Sequence, residues 1–317
     1  MPEFVEIVNM HTHLVRDLQQ EKQVYPEPGW PDSWYVGSPD RMIPDMNATG
    51  VSYIATMNVM DTPRMVEARI RRARQQGASD EEIAKARLDL REDMRQRVRD
   101  LNDWTIAAQH AQPRLVTYMM IDPILQGETT MDEFERCVAL GAKGVKVHPD
   151  IYGHHPDHPL MMQVYERCQE LGLGVLSDSR NAEFGRPLGW IPVLKAFPHL
   201  KFIMAHLPDE MWDDRIDLAR QFGDNLWFDM STGLVDDHHP AGGHACMPMT
   251  QAVRVFRKVG TDRIMYGSDG RPGGDALYGA RQIMALDFTD DEKEAILSKN
   301  AKRFFDLPDF DWSTVGR

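Results

Sequence analysis

Cysteine is scarce in this chain. Cys137, Cys168 and Cys246 are its only three, with no motif spacing, which excludes a disulfide framework and suits a reducing compartment. Basic charge is short as well: 36 Lys and Arg face 49 Asp and Glu, for a formal net charge of −13. That balance argues against nucleic acid or an anionic membrane as a partner, although one pocket can still be locally positive and take an anionic small molecule. No uncharged apolar run approaches the roughly 20 residues that a membrane-spanning helix needs. The opening Met1-Pro2-Glu3-Phe4-Val5-Glu6 has no basic stretch followed by an apolar one, so a cytoplasmic location is expected. What is present is ordinary globular composition, 42% hydrophobic and 27% charged. The length suits one large domain, and 1–317 is read as a single unit.

Short β-rich runs recur along the chain: Val5–Met10, Val51–Met57, Arg114–Met120, Gly144–Val147, Gly174–Leu176, Lys201–Ala205, Leu226–Phe228 and Arg263–Tyr266. They carry few charges and little alternation, as parallel strands covered on both faces do. Helical patterns separate most of them, among them Met131–Ala139, Pro159–Leu171, Gln251–Val259 and Asp275–Leu286. Eight strands with crossover helices predict an α/β fold, a (β/α)8 TIM barrel; a doubly wound sheet is the rival. The barrel alone makes the first and last strands neighbours.

Two insertions interrupt the alternation. Residues 19–50 follow the first strand and are rich in Pro, Trp and Tyr, which fits either a wall over the active-site face or a surface loop packed by its own aromatics. Residues 61–110 read as a helical pair. Asp61 or Thr62 caps the first helix with Pro63 in its opening turn, and Ser79-Asp-Glu-Glu82 forms a capping box for the second. The many Arg and Glu residues of this pair read as a solvated face.

The strand ends carry the chemistry. His11-Thr12-His13 follows the first strand and Tyr266-Gly267-Ser268-Asp269 follows the last. Side chains alternate along a strand, so His11 and His13 project together. Two imidazoles joined by a carboxylate from another strand end can grip a divalent ion and leave positions open for water. Lys146 and His148 share a face of the fourth strand. Lys146 could receive a substrate carboxylate or be carboxylated as a ligand, and His148 could ligate, shuttle a proton, bond substrate or sit as a core histidine. Asp178 and Arg180 end the fifth strand with equal parity and could pair with each other. His206 stands where the sixth strand opens, placed as a general base for metal-bound water. Residues 235–247 hold His238, His239 and His244 and read as a lid or a solvated loop. His154, His155 and His158 read as solvated.

Asn9-Met-His11-Thr-His13, Gly144-Val-Lys-Val-His-Pro149, Phe197-Pro-His-Leu-Lys-Phe-Ile-Met-Ala-His206, Tyr266-Gly-Ser-Asp269 and Asn300-Ala-Lys-Arg-Phe304 run in this order from one end of the chain to the other. Together they resemble the amidohydrolase superfamily, in its branch that includes aminocarboxymuconate-semialdehyde decarboxylase. The resemblance implies a distorted barrel holding one divalent metal ion, Zn²⁺ or Mn²⁺, and often a homodimer. It implies His11 and His13 as metal ligands, Asp269 as ligand or proton acceptor, and His206 as the polarising or proton-transferring histidine. The family's Asp before the first His is Asn9 here, and Asp178 stands where a fifth-strand His ligand is expected. Asp178 is therefore read as a metal ligand, with His148 as the alternative.

The leading expectation is a metal-dependent hydrolase that activates water against a lactone, amide or related carbonyl of a small, carboxylated or cyclic substrate, with Lys146, His148 and Arg180 orienting it through a carboxylate or enolate. The alternatives are a metal-dependent non-oxidative decarboxylase of an aromatic or muconate-type acid, and a metal-free small-molecule-binding barrel.

Overall fold

The computed structural model describes residues 5–16, 39–223, 225–231, 233–234, 246–270 and 277–315. Eight parallel strands follow one another in chain order: β1 Ile7–Thr12, β2 Val51–Thr56, β3 Leu115–Met120, β4 Gly144–Val147, β5 Gly174–Ser177, β6 Lys201–Met204, β7 Leu226–Asp229 and β8 Ile264–Met265. The ladder runs unbroken from β1 to β8. The ring is joined by backbone bonds from Met10 N to the Tyr266 carbonyl (3.0 Å) and from Asp269 N to the His11 carbonyl (2.8 Å). This is a (β/α)8 barrel, and first and last strands meet as its closure demands.

The apolar residues divide between two layers. Val8, Met10, Tyr53, Tyr118, Leu176, Ile203 and Met265 fill the lumen together with Phe304. A larger shell joins the outer strand faces to the helices through Val145, Val175, Phe202, Trp190, Tyr165 and Phe256. Both faces of the sheet are thus dry, which is why the strands read as nearly continuous apolar runs.

Helices cross over where the 3.6-residue period predicts them, at Thr130–Leu140, Pro159–Leu171, Met249–Val259 and Tyr278–Ala285. The insertion after β2 is a helical pair, Thr62–Gln75 and Asp80–Ala111. Asp61 caps the first helix by accepting from Arg64 N at 3.0 Å, and Ser79 and Glu82 form the reciprocal box that starts the second. Within the insertion after β1, the chain is helical over Pro39–Thr49; its Tyr- and Trp-rich part lies outside the described residues, as do His238, His239 and His244. His154 departs from its reading as solvated: it is 2% exposed, stacks on Tyr152, and its Nδ1 lies 2.8 Å from the His155 carbonyl. Among the described residues no helix is long and apolar enough to cross a membrane.

Candidate active site

Every named site residue lies at the carboxyl ends of the strands, the face where barrels of this class do their chemistry. Three backbone irregularities aim the side chains. The β1–β2 register slips between Asn9 and Thr12, a bulge that lets Met10 fill the lumen while its neighbour His11 also turns to the site. At the ends of β6 and β8 the backbone turns left-handed, with φ of 63° at both His206 and Asp269. Residues other than glycine rarely hold that conformation, and it is concentrated where function requires a side chain to be redirected. Gly267 makes the β8 turn possible, since a Cβ there would stand 2.7 Å from the His11 Cβ.

His11, His13 and Asp269 converge, their ligand atoms all within 4.8 Å of one another. Asp269 Oδ1 is 3.1 Å from His13 Nε2 and 3.5 Å from His11 Nε2. His11 is fully buried and its Nδ1 lies 2.7 Å from Asp229 Oδ2. With Nδ1 protonated toward that carboxylate, Nε2 presents a lone pair to the site. This is how outer carboxylates prepare histidine ligands. Two imidazole nitrogens and one carboxylate oxygen suit Zn²⁺ or Mn²⁺, so the residues fit a single divalent ion. Lys146 Nζ stands 3.2 Å from His11 Nε2, so the lone pair offered to a cation here meets an ammonium.

Asp178 lies outside this triad. Its Oδ2 accepts at 2.8 Å from His206 Nε2, with His148 Nε2 at 3.4 Å and Arg180 Nε at 3.2 Å. The Asp178–Arg180 pairing expected from parity is present. Arg180 reaches further: its Nη2 is 3.0 Å from His206 Nε2 and 3.7 Å from Asp269 Oδ2, and its Nε is 3.5 Å from Asp209 Oδ2. The structure thus gathers His11, His13, Lys146, His148, Asp178, Arg180, His206 and Asp269 around one mouth.

Three further members have no role in the sequence reading. Asp229 ends β7 and is fully buried, Ser231 follows it, and Asp209 lies in the turn after β6. The signal for Asp229 was available, because a carboxylate ending an apolar strand needs a partner or a cation.

Burial and charge set the titration. Burial holds His11 down to about 4, helped by the Lys146 ammonium, and holds His148 down to about 4 as well. Both are neutral at neutral pH, as a ligand or a hydrogen-bonding imidazole must be. Burial also lowers Lys146, partly offset by Asp178 and Asp269. Burial opposes ionisation of Asp178, Asp229 and Asp269, yet neighbouring histidines and hydrogen bonds, with Arg180 at Asp178, keep all three below the usual carboxylate range.

A family model described as Amidohydrolase matches residues 8–307. The chain belongs to this family. No curated protein matches it. Among solved structures, this amidohydrolase is similar to 2,6-dihydroxybenzoate decarboxylase from Rhizobium, at 16% identity and a TM-score of 0.67 over 95% of this chain and 99% of that one. It is similar also to dihydroxybenzoic acid decarboxylase from Polaromonas sp. JS666, solved with bound manganese and the inhibitor 2-nitroresorcinol, at 17% identity and a TM-score of 0.63 over 95% and 97% of the two chains. A third is 5-carboxyvanillate decarboxylase from Sphingomonas paucimobilis, at 14% identity and a TM-score of 0.60 over 96% and 100%. At these identities the likeness establishes a shared barrel over nearly the whole chain. In this chain His11, His13 and Asp269 at the strand ends can hold one divalent ion, and the Polaromonas structure was solved with manganese bound.

Proposed function

We propose that the protein is a metal-dependent carboxy-lyase, removing CO₂ from an aromatic or similarly unsaturated carboxylic acid. The reading inverts the order expected from sequence, where hydrolysis led. The observation that carries it is the pair of fixed cations at the mouth: Lys146 Nζ is 3.2 Å from His11 Nε2, and Arg180 Nη2 is 3.7 Å from Asp269 Oδ2. A substrate carboxylate uses both charges. All three neighbours above are decarboxylases, which supports the same reading.

We assign His11, His13 and Asp269 as the residues that hold the ion, and Asp178 as the partner of His206. The ion supplies Lewis acidity toward a substrate carboxylate or an adjacent hydroxyl. The chain's own residues do the rest. Lys146 and Arg180 bind and orient the carboxylate, with His148 beside them. As the C–C bond breaks, CO₂ leaves without the electron pair, and the pair on carbon takes a proton from His206 Nε2. Nε2 regains its proton from solvent.

The test is turnover of the manganese-loaded protein in heavy water with 2,6-dihydroxybenzoate, 5-carboxyvanillate and related acids. Release of CO₂ with one deuterium at the vacated carbon is expected. Incorporation of ¹⁸O from labelled water into a product, with no CO₂, would restore the hydrolase.

A further inference from the structure

Ser231 is fully buried and lies between two ionisable groups. Its Oγ is 2.5 Å from Asp229 Oδ1 and 2.8 Å from His206 Nδ1. A hydroxyl has one proton to give. Asp229 is a carboxylate that already accepts from His11 Nδ1 on Oδ2, and from the backbone N–H groups of His206 and Ser231 on Oδ1, each at 2.9 Å. With N–H donors on both of its oxygens, this carboxylate acts only as an acceptor, so the Ser231 proton points to Asp229. The Ser231 lone pair that remains can only accept, and what it accepts is a proton on His206 Nδ1. The opposite arrangement would leave two lone pairs facing each other at 2.5 Å.

We propose that Ser231, braced on Asp229, is a positioning residue that fixes the His206 ring with a proton on Nδ1, so that Nε2 is the only atom through which His206 exchanges protons. The surroundings of Nε2 fit this. Asp178 Oδ2 at 2.8 Å receives an Nε2–H, and Arg180 Nη2 at 3.0 Å donates to a bare Nε2. Each protonation state of the reacting nitrogen therefore meets a partner already in place, and the ring need not turn between them. The same Asp229 holds His11 through its other oxygen, so one carboxylate sets the tautomer of a metal-binding imidazole and of the proton-transferring one. The inference deepens the role given to His206 above and rests on that reading for its consequence, but not for its test.

The test is ring nitrogen and proton NMR of zinc-loaded protein labelled with ¹⁵N-histidine, with His206 assigned by comparison with His206→Gln. In the wild type, Nδ1 of His206 is expected to carry a proton protected from exchange, as a bond to a buried hydroxyl requires. A bare Nδ1, or one whose proton exchanges freely, overturns the proposal without need of a variant. Ser231→Ala removes one oxygen and is expected to lose that protected signal while keeping the protected Nδ1 proton of His11. Retention of the His206 signal in Ser231→Ala would equally overturn it. No substrate is present, so this outcome is independent of the deuterium experiment that judges the carboxy-lyase.

Discussion

Asp229 touches no expected substrate position, yet it accepts from His11, Ser231 and two backbone amides around the mouth. Asp229→Asn keeps its shape but replaces one acceptor with a donor. Outer partners of metal-binding histidines are worth about 10- to 100-fold in affinity, and a weakening of that order is expected on titration with Zn²⁺. Arg180→Gln should act differently. It leaves the triad intact, so the metal content is retained, while the KM for a carboxylate substrate rises. A charged hydrogen bond contributes about 1.5–3 kcal/mol, which corresponds to roughly 10- to 100-fold. Equal metal loss in both variants would show that Arg180 holds the site together rather than the substrate. The histidines also predict the response to acid. His11 and His148 titrate near 6.5 in an unfolded chain and are held down to about 4 in the folded one. Between those values the unfolded chain binds more protons, so stability is full above the upper value and declines as pH falls toward the lower. Metal-stripped protein is therefore expected to melt at a lower temperature near about pH 5 than near about pH 7, and His148→Gln is expected to flatten that dependence.

The elements explain how much of this was open to reading in the sequence. All eight strands were, because a sheet covered on both faces writes itself as short apolar runs, and the Ser79–Glu82 box announced its helix. His11, His13, His206 and Asp269 stand out as candidates because each follows such a run. Their aim was not legible. Simple alternation puts Met10 and His11 on opposite faces, and only the bulge in β1 brings both inward. The left-handed turns at His206 and Asp269 are equally silent, since neither residue type advertises them. Asp229 and Ser231 show their role only through partners distant in sequence. At the opposite end of the barrel, Tyr118 fills the space above two glycines that begin β4 and β5. A Cβ at Gly174 would stand 2.0 Å from the Tyr118 hydroxyl oxygen and 2.8 Å from Phe304 Cε1. Gly174→Ala is expected to destabilise by about 1–3 kcal/mol in chemical unfolding, the usual range for overpacking. The Tyr118 hydroxyl has no hydrogen-bond partner among the described residues, so Tyr118→Phe is expected to leave stability unchanged or raise it. A marked loss in Tyr118→Phe would mean that the hydroxyl is satisfied.

At the scale of the molecule, the closed barrel lets a chain of net charge −13 hold Lys146 and Arg180 together at the carboxyl ends of its strands. The carboxylates that neutralise them come from strands β5, β7 and β8 and from the turn after β6, so the site exists only when the ring is complete. Ligand binding to the folded state alone therefore stabilises the whole barrel. The most direct measurement is metal content by elemental analysis after loading and desalting, for wild type, Asp269→Asn and Asp178→Asn. About one equivalent in wild type and in Asp178→Asn, with loss in Asp269→Asn, is the predicted result. No retained metal in wild type, or loss in Asp178→Asn with retention in Asp269→Asn, would contradict it.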